Sequence, residues 1–246
     1  MLFRSTPATW IEERGIPSRG RHYLANMGIY LFNTKFLIDV LQAPPLVTDF
    51  GKEVFPRIYE SKHVHAHLFD GYWEDLGTIK SYHESSLELA RSSPPFDFYQ
   101  PEGIIYTRMR NLPASKMEGA TLTECLVSDG CRIGAGSVLT NCLIGVRSRI
   151  GRDCKLTETV MIGSDTFETV AEMKANRSAG VPDFNVGDGC DVRRAILDKD
   201  CRLGNGVKIL NAAKRTEYDD PQGRFHVRDG IVCVPRGAVI SDGTVI

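Results

Sequence analysis

A repeated dipeptide, an aliphatic residue followed by glycine, restricts the fold of the second half of this chain more than any other feature. Successive copies lie 11, 6, 12, 24 and 17 residues apart, at or within one residue of multiples of six. A six-residue period of inward aliphatic side chains and turn residues is typical of a parallel β-helix, whose coils stack because no coil buries its own inner face. The copies are Ile133-Gly134, Ile144-Gly145, Ile150-Gly151, Ile162-Gly163, Val186-Gly187 and Leu203-Gly204.

Six of the seven cysteines recur at related positions of this repeat, and no two cysteines form a CxxC pair. Metal-binding thiols usually have such short spacings. We therefore interpret these cysteines as small core side chains stacked beneath the turns of the coils. They are Cys125, Cys131, Cys142, Cys154, Cys190 and Cys201.

Two polar, charged stretches interrupt the repeat, at Ser164–Asn185 and Asn211–Asp229. Loops of this length inside a compact domain are usually functional or mobile. We expect loops of this kind at both places.

The chain before residue 94 alternates short apolar runs with helical patterns, which is typical of an α/β domain. We predict strands over 24–32 and 64–69, and helices over 33–41, 49–59 and 78–91. A Pro- and Gly-containing stretch then has the composition of a linker. The predicted organisation is part of an α/β domain over 1–93, a linker over 94–118 and a β-helix domain over 119–246.

Composition and charge narrow the classes of function. Hydrophobic residues make up 42% of the chain and charged residues 25%, which supports a packed core. The net charge of −1 argues against binding nucleic acid through bulk positive charge. No apolar run approaches the roughly 18 residues of a membrane helix, and residues 1–19 lack the apolar stretch of a secretory signal. We therefore expect a cytoplasmic protein that binds neither nucleic acid nor membrane.

Asp75 is the carboxylate that most suggests chemistry. It lies in GYWEDLGT (71–78), between a predicted strand and a predicted helix. Ligands bind at the carboxyl ends of strands in α/β sheets, and adjacent acids beside a glycine could hold Mg²⁺ near a phosphate or sugar. The alternative is an acidic residue that complements the dipole of the following helix.

Other polar residues also have both a binding and a structural interpretation. The Asn26 amide could bond a sugar hydroxyl or satisfy nearby backbone groups. Basic residues gather after residue 190, where arginines could form a phosphate pocket or simply be solvated. Neither GxGxxG nor GxxxxGKS/T occurs, so the chain has no such Gly-rich loop to cradle nucleotide phosphates.

Seven segments carry a resemblance that extends from about residue 20 to the end of the chain. They are LANMGIY (24–30), FDGYWEDLGTI (69–79), IYT (105–107), LPASK (112–116), GVRSRIG (145–151), AILDK (195–199) and DGTVI (242–246). Together they resemble the glucose-1-phosphate adenylyltransferase (ADP-glucose pyrophosphorylase) family. The resemblance implies an α/β nucleotidyltransferase domain followed by a left-handed parallel β-helix. It also implies synthesis of ADP-glucose and pyrophosphate from ATP and glucose 1-phosphate, for glycogen or starch.

The same resemblance implies a substrate site with Mg²⁺ as the cofactor. Asp75 matches the family's metal-binding aspartate, and Asn26 stands where the family usually has a serine that contacts glucose. Tyr30, Asp49 and Trp73 lie on segments that line the sugar pocket. No catalytic residue is assigned to this chain.

An effector site is implied as well. Lys199 and Arg236 match basic positions that bind phosphorylated metabolite effectors, and Arg236 replaces a more usual lysine while keeping its charge. Arg110, in the predicted linker, is a further candidate for this site. Because the family's enzymes are usually tetramers, we expect a homotetramer or a heterotetramer.

The family's Gly-rich nucleotide loop, second metal aspartate and Glu-Lys sugar-phosphate motif all precede the segments found here. We therefore expect the chain to correspond to a C-terminal portion of the enzyme and to have no adenylyltransferase activity alone. Three alternatives stay open: a non-catalytic regulatory or oligomerisation subunit that binds sugar-phosphate effectors, another sugar-nucleotide pyrophosphorylase, and a hexapeptide-repeat acyltransferase. For the acyltransferase, His226 is the only histidine in the second half that could serve as the base.

Overall fold

The computed structural model describes residues 6–7, 9, 12–13, 20 and 23–246. The chain forms two compact units that divide between Trp73 and Glu74. The division falls inside the GYWEDLGT segment, so the first unit ends at a predicted sugar-pocket residue and the second begins beside the predicted metal ligand.

Two short helical elements confirm the helical patterns of the first unit. Helix α1 covers Thr34–Gln42, and Asn33 caps it by accepting a hydrogen bond from the backbone N–H of Phe36 at 3.3 Å. A π-helical turn over Phe50–Val54 continues into helix α2, Phe55–Ile58. The chain is therefore helical within both ranges that the sequence predicts there.

The strands predicted over 24–32 and 64–69 are wrong. In the described part of this unit, β1 (Thr6–Pro7) and β2 (Tyr23–Leu24) form an antiparallel pair, and the two predicted runs are otherwise irregular. Leu31, near the end of the first run, is 99% exposed. An apolar run becomes a strand only where a neighbouring segment supplies ladder hydrogen bonds. Among the described residues, Leu24 alone in these two runs has such a neighbour.

The second unit confirms the predicted parallel β-helix. Its long strands pair in parallel, with Thr121 opposite Val138 and Val138 opposite Lys155, so that one coil takes 17 residues. The first two separations of the aliphatic–glycine pairs, 11 and 6 residues, together span one such coil. The long strands are β4 (Thr121–Val127), β6 (Val138–Ile144), β8 (Lys155–Met161) and β10 (Asp191–Leu197).

Shorter strands complete the coils. Six of them form a second parallel sheet, namely β3 (Lys116–Met117), β5 (Arg132–Ile133), β7 (Arg149–Ile150), β9 (Asn185–Val186), β11 (Arg202–Leu203) and β16 (Val239–Ile240). Two others, β12 (Lys208–Ile209) and β15 (Ile231–Val234), pair in parallel with β10.

Buried aliphatic side chains stack from coil to coil in three columns. Because every parallel partner along a column is also apolar, each coil buries the inner face of the next. The columns are Ile133, Ile150, Val186, Leu203 and Ile240; Leu139, Leu156, Val192 and Ile209; and Ile144, Met161, Leu197 and Val234.

The cysteines of the repeat lie where the sequence places them, as small side chains within or against this core. Cys125 and Cys142 are parallel partners on β4 and β6. Five of the six are buried and Cys125 is half-buried, and all are free thiols.

The two interruptions of the repeat contain regular structure. The first holds helix α4, Val170–Ser178, which is capped reciprocally by the side chains of Thr169 and Glu172. The second forms an antiparallel hairpin of β13 (Glu217–Asp219) and β14 (His226–Arg228), and β14 pairs with β15. The loops predicted there are thus partly ordered excursions from the coils.

Helix α3, Ile79–Glu88, packs on the outside of the β-helix although it comes from the α/β half of the sequence. Thr78 caps it with a reciprocal hydrogen bond to Ser81, as the predicted helix start requires. Its Leu87 is buried with Val160, Ile196 and Ile231 of the coils. The predicted domain boundary at residue 93 stays a prediction. The two compact units divide earlier, between Trp73 and Glu74, so α3 belongs to the second unit.

His83 of α3 is 1% exposed, and its Nε2 donates a hydrogen bond to the Glu158 carbonyl at 2.8 Å. Its Nδ1 has no hydrogen-bond partner. Burial lowers the pKa of His83 below its ordinary value of 6.5. The unfolded chain therefore binds this proton at a higher pH than the folded chain, so stability falls as pH drops below 6.5 towards the folded pKa.

We expect His83→Gln to remove this contribution to the pH dependence. The contribution reaches at most about 1.4 kcal/mol per pH unit for one proton, and thermal unfolding between pH 5 and pH 7.5 measures it. His63→Gln, at an exposed histidine, is the control that should leave the slope unchanged. An unaltered slope in His83→Gln would show that His83 does not titrate differently in the folded state.

Candidate functional site

Three of the predicted sugar-binding residues converge around Gly51 in the first unit. The Asn26 Nδ2 donates a hydrogen bond to the Tyr30 hydroxyl at 2.7 Å. A Cβ atom on Gly51 would lie 3.5 Å from Asp49 Oδ1 and 4.0 Å from Asn26 Nδ2. The Asn26 amide and the Asp49 carboxylate therefore both lie near Gly51 at the surface, where a hydroxyl-bearing ligand can approach them.

Local backbone structure positions these polar groups. Asn26 Oδ1 accepts from the Gly28 backbone N–H at 2.9 Å, in a turn where Gly28 has a φ of +72°. Such side-chain-to-backbone turns are typical of asparagine. Asp49 Oδ1 accepts from the Lys52 backbone N–H at 2.8 Å and so caps the π-helical turn that leads into α2. The groups are thus held by a turn and a helix start.

Aromatic rings form an apolar wall behind the polar edge. The Tyr30 ring lies 5.5 Å from the Phe50 ring and 4.9 Å from the Phe55 ring, measured between centroids. Phe32 packs on the same two rings at 5.6 and 6.0 Å. The apolar run predicted as a strand therefore supplies an aromatic cluster, and its tyrosine presents a hydroxyl next to Asn26.

Asp75 lies directly before α3, in irregular chain. Because the strand predicted before it does not form, its placement at the carboxyl end of a strand is wrong, while its position before a helix is confirmed. The side chain is half-buried, and its oxygens would lie 3.3 and 3.4 Å from a Cβ on Gly77. Glycine at position 77 thus lets the Asp75 carboxylate lie close to the backbone. Trp73, two residues earlier, is half-buried at the end of the first unit.

The residues near Asp75 can be compared with the ways in which proteins bind Mg²⁺. Within the described residues, no three or more histidine, cysteine, aspartate or glutamate side chains cluster as metal ligands would. Mg²⁺ commonly binds through one or two carboxylates and completes its shell with water and substrate phosphates. The single carboxylate of Asp75 is compatible with that mode.

Lys199 and Arg236, the two effector-site candidates on the β-helix, meet at one carboxylate. Lys199 Nζ lies 2.7 Å from Asp165 Oδ1, and Arg236 Nη2 lies 2.6 Å from Asp165 Oδ2. Arg236 Nη2 is also 3.4 Å from Asp200 Oδ2. The Lys199 hydrogen bond, with a smaller contribution from Arg236, holds the pKa of Asp165 below its usual range.

Neither Asp165 nor Asp200 is predicted from the sequence to belong to this cluster. Asp165 lies 34 residues from Lys199 and 71 residues from Arg236, so no local spacing connects them. The one available signal is that Asp165 stands at the start of the first interruption of the repeat.

Arg110 does not join Lys199 and Arg236. It lies in an exposed, irregular segment, where its Nη1 donates to the Arg108 carbonyl at 3.4 Å. Over residues 23–246, no ion pair connects it with the Asp165 cluster.

The fold agrees with comparisons to known families. Residues 10–92 match the family described as nucleotidyl transferase, so the chain carries a nucleotidyltransferase segment. Residues 110–245 match the family described as GLGC left-handed parallel beta-helix domain. Because the second match covers more than half of the chain, the chain belongs to the GLGC left-handed parallel β-helix domain family.

These matches confirm the predicted fold class, an α/β nucleotidyltransferase domain followed by a left-handed parallel β-helix. The nucleotidyl transferase match includes α3, which the structure packs on the β-helix. Among the described helices, none is both long enough and apolar enough to cross a bilayer.

Proposed function

We propose that this chain serves the transfer of an adenylyl group from ATP to glucose 1-phosphate, giving ADP-glucose and pyrophosphate for glycogen or starch synthesis. The observation that carries the proposal is the convergence of Asn26, Tyr30 and Asp49 around Gly51, within a nucleotidyltransferase segment joined to a GLGC-type β-helix. An amide, a phenol hydroxyl and a carboxylate beside aromatic rings suit a sugar, which offers hydroxyl groups and apolar C–H faces.

In the proposed reaction a phosphate oxygen of glucose 1-phosphate attacks the α-phosphorus of ATP. A P–O bond forms there, and the bond from the α-phosphorus to the oxygen that bridges to the β-phosphate breaks, releasing pyrophosphate. Catalysis of this kind consists mostly of positioning and charge neutralisation. Asn26 and Tyr30 orient the glucose hydroxyls, and Asp49 accepts from a further hydroxyl while it caps its helix.

Asp75 would hold Mg²⁺ together with phosphate oxygens of the substrates. When bound, the ion neutralises phosphate charge. Trp73 would contribute to the sugar wall.

The β-helix would carry regulation and assembly. Lys199 and Arg236 would bind phosphorylated metabolite effectors, and the chain would assemble as a homotetramer or a heterotetramer. The meeting of Lys199 and Arg236 supports a shared anion site, because two cations within reach of one carboxylate are also within reach of one phosphate.

Binding of glucose 1-phosphate by the full chain, in the presence of Mg²⁺, tests the substrate site without requiring turnover. We expect Asn26→Ala to weaken binding about two- to tenfold, the loss of about one hydrogen bond to a neutral hydroxyl. Asn33→Ala is the matched control, because Asn33 caps α1 and takes no part in the site. Isothermal titration calorimetry, with galactose 1-phosphate as a comparison ligand, measures both variants.

Two results would contradict this proposal. The first is equal weakening by Asn26→Ala and Asn33→Ala. The second is absence of glucose 1-phosphate binding together with binding of phosphorylated effectors, which would favour the non-catalytic regulatory subunit instead.

A further inference from the structure

The Asp165 carboxylate fills the space between the two cations of the candidate effector site. One of its oxygens pairs with Lys199 Nζ at 2.7 Å and the other with Arg236 Nη2 at 2.6 Å. Two oxygens on one centre, each bound to a different cation, reproduce two of the contacts that a phosphate group would make there. An anion that pairs with these same two nitrogen atoms therefore competes with Asp165.

The backbone holds these three residues side by side on adjoining coils. The Gly237 N–H donates to the Lys199 carbonyl at 3.0 Å, which ties the turn that carries Arg236 to Lys199. The Asp165 N–H donates to Asp200 Oδ1 at 3.0 Å, and the preceding Ser164 N–H donates to the Val146 carbonyl at 2.9 Å. The backbone of Asp165 is therefore anchored to the coils, while its side chain is 43% exposed to solvent.

Charge in the cluster is balanced. Asp165 and Asp200 supply two negative charges opposite the positive charges of Lys199 and Arg236. A cluster without net charge attracts an anion less than one with an excess positive charge, because the cations are already paired. Without the Asp165 carboxylate, Lys199 and Arg236 would lose the counter-charge that they share.

We propose that Asp165 is an internal competitor for this site, which phosphate-bearing effectors must displace before they bind Lys199 and Arg236. The inference rests on the effector role proposed above and adds a regulatory device to it. The Asp165 side chain occupies the site. The affinity for an effector therefore depends on the free energy of replacing the Asp165 carboxylate by the phosphate group of the effector.

Replacement of the Asp165 carboxylate by a phosphate, and not protonation of Asp165, would free Lys199 and Arg236 to bind the effector. The Lys199 hydrogen bond and the Arg236 charge keep the pKa of Asp165 below its usual range, so the carboxylate stays ionised across neutral and mildly acidic pH. Asp200, the other acid of the cluster, accepts from the Asp165 backbone and would stay in place when the Asp165 side chain moves.

Inorganic phosphate binding to the full chain, followed by phosphorus NMR at fixed ionic strength, tests the proposal. We expect Asp165→Asn to raise phosphate affinity about fivefold or more, because the substitution removes a competing charge and keeps the shape of the side chain. Asp191→Asn is the matched control: it removes the same charge and unpairs Arg193, 2.7 Å away, on β10. Adding Lys199→Gln to Asp165→Asn should abolish the gain.

A gain confined to Asp165→Asn and lost with Lys199→Gln supports the internal competitor. Equal affinities in the unmodified chain and Asp165→Asn, or an equal gain in Asp191→Asn, would overturn it. If no variant binds phosphate, both the competitor and the proposed effector site fail. The proposed substrate site is tested separately, by the binding of glucose 1-phosphate to the unmodified chain and to Asn26→Ala.

Discussion

Gly145→Ala is expected to destabilise the β-helix by about 3 kcal/mol, the upper end of the usual cost of overpacking. A Cβ atom on Gly145 would lie 2.2 Å from the Ile162 carbonyl oxygen and 2.4 Å from its carbonyl carbon. These atoms belong to the backbone of the next coil and cannot rotate away. The Gly145 N–H also donates to the Met161 carbonyl at 2.8 Å, so separating the coils enough to admit a methyl group would strain that hydrogen bond as well.

A graded series of glycine substitutions separates crowding from backbone strain. Gly189 has a φ of +67° with open space around it, so Gly189→Ala should cost only about 1–2 kcal/mol for a left-handed alanine. Gly103 has neither a positive φ nor a crowding neighbour, so Gly103→Ala should change stability by less than about 0.5 kcal/mol.

Thermal unfolding of the full chain, followed by circular dichroism, ranks the three variants. At about 2–4 °C per kcal/mol for a chain of this size, Gly145→Ala should lower the Tm by about 6–12 °C. If Gly145→Ala lowered the Tm no more than Gly189→Ala, adjacent coils would not approach as closely at Gly145 as the structure places them.

The glycines that follow inward aliphatic residues explain why the β-helix could be predicted from the sequence. Ile144 and Gly145 occupy neighbouring positions because an inward aliphatic side chain is followed by a point where the coils nearly touch. Ile150-Gly151 repeats the arrangement six residues later. A requirement that recurs within each coil leaves a short-range period, and a short-range period is visible without knowledge of the fold.

The first unit could not be predicted in the same way. The run from Leu24 to Phe32 is apolar enough for a strand, yet its Tyr30 and Phe32 rings pack on Phe50 and Phe55. Whether an apolar run becomes a strand depends on a partner elsewhere in the chain, and a short run alone does not identify that partner. Helix α1 was predictable because its cap, Asn33, acts on a residue three positions away.

The candidate sites also depend on contacts between distant segments. Resemblance or residue chemistry identified four of their residues, namely Asn26, Asp49, Lys199 and Arg236. The spacing of these residues in the sequence did not predict that they meet in two groups. Asp165 was missed because its partners lie on other coils, where one residue of register decides which side chains face each other. Contacts between distant segments depend on the folded register, which residue types alone do not specify.

Glu168 and Arg202 hold the first interruption of the repeat to the coils. Glu168 Oε1 lies 2.8 Å from Arg202 Nη1, and their side chains are only 7% and 13% exposed. Glu168 also accepts from Asn176 Nδ2 at 2.9 Å and from the Phe184 backbone N–H at 2.6 Å. The Arg202 guanidinium lies 4.0 Å from the Phe184 ring centroid. One carboxylate thus connects α4, the end of the excursion and β11.

Glu168→Ala should therefore cost about 3–5 kcal/mol, because it leaves a buried guanidinium without its counter-charge and a backbone N–H without its acceptor. Glu168→Gln keeps the shape and some hydrogen bonds but loses the charge, so it should cost less than Glu168→Ala. Glu172→Ala is the matched control: it removes a carboxylate from the same excursion but only weakens the cap of α4, at about 1 kcal/mol.

Amide hydrogen exchange followed by mass spectrometry resolves where the loss occurs. In Glu168→Ala, exchange should accelerate over residues 165–184, while the coil strands β6 and β8 keep their protection because their columns of aliphatic side chains are intact. Glu172→Ala should accelerate exchange only in the first turn of α4. Unchanged protection over 165–184 in Glu168→Ala would mean that the excursion is held by the stacking of Arg202 on Phe184 and by its own helix, and not by the buried ion pair.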